Sequence, residues 1–61
     1  MNSQLLAMYA SDSVRQSIKT LQNALPEYQG DSAAYILATL DDLKRDYAEI
    51  IRIINTPQIN L

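Results

Sequence analysis

In the second half of the chain, Ala33, Ile36, Leu40, Leu43, Tyr47, Ile50 and Ile54 follow one another at alternating steps of three and four. An apolar seam of that period belongs to a helix packed lengthwise against another helix. Read as a heptad, Leu40, Tyr47 and Ile54 take position a, and Ile36, Leu43 and Ile50 take position d. Asp41, Asp42, Arg45, Glu49 and Arg52 then fill the outward positions, where Asp41 can reach Arg45 and Glu49 can reach Arg52. Each exposed pair of this kind contributes only roughly 0.3 kcal/mol. Leu37 and Ile51 at e, with Ile53 at g, make the stripe wider than a two-helix contact needs. A helix apolar at a, d and e touches more than one neighbour, so the width predicts self-association or a partner.

The first half predicts a helix that starts at Asn2 or Ser3, either of which can cap the free amides of its first turn. Leu6, Ala10, Val14, Ile18, Leu21 and Leu25 fall on one face, with Leu5, Met8 and Tyr9 at its sides. Ser11-Asp12-Ser13 prefers caps and turns, and Ser13 with Gln16 forms a capping-box pattern that could start a second helix. The stripe stays on one side from Ala10 to Val14, which favours a single helix over about 3–25. Pro26 removes a ladder donor and disfavours helical geometry at Leu25, so this helix ends near Asn23 to Leu25. The segment 26–31 turns the chain, with Gly30 free to take a positive φ, Tyr28 covering the open end of the helix pair, and Asp31 or Ser32 capping the second helix. That helix covers about 32–55, with Asn55 as its C-cap and Pro57 blocking continuation.

Two helices of about 22 residues, each about 33 Å long, joined by a short turn, must lie antiparallel. The expected fold is therefore all-α: an antiparallel two-helix hairpin forming a single domain over 1–61, dimerising into a four-helix bundle. The tail 56–61, with Ile59 and Leu61 in alternation, reads either as an extended peptide able to dock on the bundle or a partner, or as a frayed terminus.

Composition strengthens the case for association. A chain of 61 residues buries only about 60% of the surface its unfolded form exposes, and chains this small rely on disulfides, a metal or oligomerisation. There is no cysteine and no histidine, which excludes disulfides and leaves only carboxylates for a metal. Oligomerisation or partner binding is the remaining route. Five Lys plus Arg stand against seven Asp plus Glu, a net charge of -2, and the cations are scattered among acids without forming a basic patch. The apolar run Leu5-Leu6-Ala7-Met8 has no preceding positive charge and is too short for a secretory signal or a membrane span. The expected setting is soluble and cytoplasmic, with no membrane.

Catalytic constellations are hard to assemble. Without histidine, cysteine or a glycine-rich phosphate loop, the usual nucleophile and base pairings are missing, so no enzyme, cofactor or metal is expected. Asp41, Asp42 and Asp46 cluster on the second helix, but Lys44 and Arg45 between them offset their charge, as on a solvated face. Leu40-Asp41-Asp42-Leu43 followed by Tyr47 resembles the Leu-Asp-x-Leu-x-x-x-Tyr part of the sporulation-type aspartyl-phosphate phosphatases, themselves short helical hairpins. Where that family carries Ser-Gln-Glu this chain has Leu37-Ala38-Thr39, so half of the signature is absent and a phosphatase ranks third. In architecture, a hairpin of this length with a short tail resembles the Rop-like plasmid copy-number regulators, which pair two hairpins and bind RNA across one face. That resemblance would place RNA contacts on Arg15, Lys19 and Gln22, few cations for a phosphate-dominated contact. A Rop-like nucleic-acid-binding bundle is thus the second alternative.

Among the tyrosines, Tyr47 belongs to the seam with its hydroxyl at the rim, while Tyr9 and Tyr35 fall outside. Aromatic side chains are enriched at protein interfaces. Leu5, Met8, Tyr9, Tyr35, Leu37 and Ile51 are the candidate surface for self-association or a protein partner. The leading expectation is a small non-enzymatic interaction module, a regulator, inhibitor, adaptor or chaperone, that docks an apolar helix face on its partner.

Overall fold

A computed structural model describes residues 3–56. Helix α1 spans Ser3–Ala24, a 3-10 turn spans Leu25–Glu27, and helix α2 spans Gly30–Asn55; the described residues include no strand. The helices form an antiparallel hairpin. The Gln4 side-chain amide, in the first turn of α1, donates to the Ile54 carbonyl at 3.2 Å, in the last turn of α2. Capping by Asn2 and the fate of Ile59 and Leu61 lie outside the described residues.

Helix α1 passes through Ser11-Asp12-Ser13 without a break. Local bonds that the helix tolerates occupy two of these polar side chains: Ser11 Oγ donates to the Met8 carbonyl at 2.8 Å, and Asp12 accepts from Arg15 at 2.8 Å and from Gln16 at 3.1 Å. Side chains so engaged do not compete for the backbone of the next turn.

The turn departs from the expected caps. Pro26 sits at the start of the 3-10 turn, where its missing N–H is not needed. Tyr28 and Gln29 are extended, with φ of -118 and -138, and Gly30 takes φ 63. That left-handed residue swings the chain into α2 directly. The helix therefore begins before Asp31 and Ser32, and Gln29 occupies the cap position with no side-chain capping bond. Asp31 instead lies in the first turn, where its carboxylate meets the positive end of the helix dipole. At the far end Asn55 remains helical and Thr56 caps. Its N–H donates to the Ile53 carbonyl at 3.2 Å and its hydroxyl to the Arg52 carbonyl at 2.7 Å, satisfying last-turn acceptors that Asn55 cannot reach from within the helix.

The α2 seam faces α1 along its length: Ile36 and Leu40 are buried, and Ala33, Leu43, Tyr47, Ile50 and Ile54 are half-buried. Across from it, α1 turns Gln4, Ala7, Ser11, Val14, Ile18 and Leu21 inward, and Leu25 of the 3-10 turn continues the line; Ala7 is buried and the others half-buried. These positions repeat the same alternating three and four. Leu6, expected on this face, is 50% exposed, because stepping back from Val14 in register with α2 lands on Ser11, Ala7 and Gln4. The small side chains of Ala7 and Ser11 leave room for Tyr47, Ile50 and Ile54 opposite, the large-against-small complementarity that close packing requires. Tyr28 does not plug the helix pair. Its extended backbone leaves it 47% exposed beside the turn.

A Cβ at Gly30 would meet nothing within 4 Å, so substitution there tests backbone geometry alone. Gly30→Ala is expected to destabilise the hairpin by about 1 kcal/mol through its left-handed φ, read as a lower thermal midpoint by circular dichroism. Gly30→Asn should cost less, and an unchanged midpoint for Gly30→Ala would contradict the turn geometry.

Candidate interaction surfaces

The hairpin leaves much of its apolar surface uncovered. Among the described residues only Ala7, Ile36 and Leu40 are buried hydrophobics, and no large side chain is fully enclosed. Leu5, Leu6, Met8, Tyr9, Tyr28, Tyr35, Leu37 and Ile53 are exposed.

The six residues singled out from sequence fall into two groups. Leu5, Met8 and Tyr9 stand at the open end of the hairpin, with half-buried Ile51 across from them on α2. Tyr35 and Leu37 stand at the turn end. On α2 the two groups are separated by about 21 Å, from the rise of about 1.5 Å per residue between Leu37 and Ile51. They do not make one continuous surface.

At the open end, Leu5-Leu6-Ala7-Met8-Tyr9-Ala10 is an unbroken apolar run, and the first charged residue of α1 is Asp12. Helical geometry turns Ala7 toward α2, Leu5 and Tyr9 away from it, and Leu6 and Met8 to opposite flanks. All four large side chains are exposed, 45% for Leu5, 50% for Leu6, 55% for Met8 and 69% for Tyr9. Ile53 of α2 extends the Leu6 flank and Ile51 the Met8 flank. Leu6 is the member sequence reasoning missed, because its spacing from Ala10 and Val14 placed it on the inward face.

At the turn end, Leu21, Ala24, Tyr28, Asp31, Ser32, Tyr35 and Ile36 line a shallow groove of about 510 Å³. Leu37 lies on the opposite flank and takes no part in it.

Midway along α1, Arg15, Lys19 and Gln22, with Gln16 and Ile18, line a second groove of about 280 Å³. Asp12 holds Arg15 at 2.8 Å; this hydrogen bond and the carboxylate charge, with Tyr47 contributing slightly, raise the guanidinium above its ordinary pKa. On α2, Arg45 pairs with Asp42 at 2.7 Å, and the expected partner, Asp41, is left exposed. Arg52 pairs with Glu49, its Nε donating to Oε2 at 3.1 Å. Among the described residues no group of three or more His, Cys, Asp or Glu is arranged to hold a metal ion. The residues that carry the phosphatase resemblance divide by the heptad: Leu40 is buried, Leu43 and Tyr47 are half-buried in the seam, and Asp41 is exposed. No described helix is long and apolar enough to cross a membrane. Comparison with protein-family models, curated proteins and solved structures finds no match to this chain.

The hydrogen bond and charge of Arg52 hold the Glu49 carboxyl below its ordinary value. A lowered carboxyl pKa stabilises the last turns of α2 above the unfolded value, and that contribution disappears as pH falls through the lowered one. Arg52→Gln should return the Glu49 titration, followed by NMR of its side-chain carboxyl, upward to that of an ordinary glutamate. A midpoint that does not move would show that the pair is not formed in solution.

Proposed function

We propose that this chain is a non-enzymatic protein–protein interaction module, self-associating through the open end of its hairpin and acting by docking an apolar helix face on a partner protein. The observation that carries this reading is the run from Leu5 to Ala10, apolar on every side of α1 while α2 covers one side only. A helix that is hydrophobic all round belongs inside a larger bundle. A second copy supplies most of the missing cover in the simplest way, because two hairpins joined at their open ends place Leu5, Tyr9 and one flank residue, Leu6 or Met8, of each against the other. The product is a four-helix bundle.

Burying the exposed half of each of these side chains is worth about 1 kcal/mol, or about 6 kcal/mol over both copies. The loss of translational and rotational freedom on association costs about 4 to 15 kcal/mol. The terms are comparable, so this dimer forms and dissociates with concentration, and a partner offering a longer apolar helix face would compete for the same surface. Such exchange suits a small regulator, inhibitor, adaptor or chaperone.

One observation supports a Rop-like nucleic-acid-binding bundle as the second reading: Arg15, Lys19 and Gln22 line a common groove on α1. Arg15 is already paired with Asp12 and the chain is net acidic, which ranks this reading lower.

Leu5→Glu and Tyr9→Glu, both at exposed positions, should shift the mass measured by light scattering toward that of a monomer, with helicity in circular dichroism falling no further than it does for the parent chain diluted to monomer. Leu37→Glu, at the other end, should leave association intact. Monomerisation by Leu37→Glu alone would place the contact at the turn end. Retardation of RNA by the chain at low salt, lost on Lys19→Glu, would favour the second reading.

A further inference from the structure

The turn end differs from the open end in charge. From Thr20 to Leu43 the chain carries Glu27, Asp31, Asp41 and Asp42 and neither Lys nor Arg. The C-terminal end of α1 and the N-terminal end of α2 meet at the turn, so their opposed dipole charges offset each other. Glu27 and Asp31 set the local potential. Neither takes part in the ion pairs of the described residues, which join Arg15 to Asp12, Arg45 to Asp42 and Arg52 to Glu49.

In the turn-end groove, Tyr28 and Tyr35 are 47% and 75% exposed and stand with Asp31 around a floor of Leu21, Ala24 and Ile36. Two exposed aromatic rings beside an unpaired carboxylate select a cation. The ring faces attract positive charge, a guanidinium can stack on an aromatic ring while donating two hydrogen bonds to a carboxylate, and an apolar floor accepts its methylene stem. We infer that this groove docks an arginine side chain of a partner protein, stacked against Tyr28 and Tyr35 and paired with Asp31. The inference rests on the interaction-module reading and supplies the chemistry of the partner's contact.

The test titrates the full chain with N-acetylarginine methylamide, and separately with its uncharged citrulline counterpart, while the tyrosine ring protons are followed by NMR. Arginine should shift the Tyr28 and Tyr35 signals saturably in the millimolar range, with Tyr9 and Tyr47 unmoved and citrulline without effect. Asp31→Asn should weaken the binding roughly threefold, the scale of an exposed ion pair, and Tyr35→Ala should abolish it, with circular dichroism confirming that both variants remain helical. Equal shifts with citrulline, equal shifts at all four tyrosines, or no shift would overturn the inference. Self-association is read separately from the mass. A chain that associates but ignores arginine overturns this inference alone, and one that binds arginine yet stays monomeric overturns self-association.

Discussion

Everything in this structure depends on one geometric constraint: a hairpin of two helices can cover only one side of each. The α2 seam meets that constraint, because its apolar residues recur every three and a half positions and can all face the same neighbour. Helix α1 meets it only in its second half. There Val14, Ile18 and Leu21 pack toward α2, but the same register carried back to the open end reaches Ser11, Ala7 and Gln4. The large apolar side chains of the first turns are thereby displaced to the flanks and the outer face. The two ends of the hairpin acquire different character as a result, one apolar and free of nearby charge on α1, the other acidic with exposed tyrosines.

How far this could be read from sequence differs between the helices for the same reason. On α2, apolar and charged residues alternate with a clear period, so the inward face is legible residue by residue. The run Leu5 to Ala10 has no period, since every position is apolar, and two of the three inward residues at this end, Gln4 and Ser11, are polar. Leu6 was assignable to the inward face only by spacing from Ala10, and the true register is set by α2 rather than by α1 itself. The caps show a similar limit. Composition favours the turn at Gly30, but whether Asp31 or the residue before Gly30 opens α2 depends on a single φ angle, and the choice between Asn55 and Thr56 depends on which hydroxyl or amide reaches a carbonyl one turn back. Asp41 and Asp42 both lie within reach of Arg45, and spacing alone does not choose between them.

The candidate contact residues were legible as exposed apolar or aromatic side chains, but not as a surface. Grouping Leu5, Met8 and Tyr9 with Ile51, and Tyr35 with Tyr28, requires knowing which residue of α1 lies beside which residue of α2. The bond from Gln4 to Ile54 supplies that register. Once it is in hand, local physics gives the proposed division of labour: apolar area at the open end favours another helix face, and unpaired carboxylate with aromatic rings at the turn favours a cation.

The most direct test of self-association is sedimentation equilibrium over a wide concentration range, with helicity followed by circular dichroism on the same samples. Incomplete cover at the open end predicts a reversible monomer–dimer equilibrium in which helicity falls as the chain is diluted. A fully helical monomer that persists at every concentration would contradict it, because the uncovered face of α1 would then need no second copy to be stable.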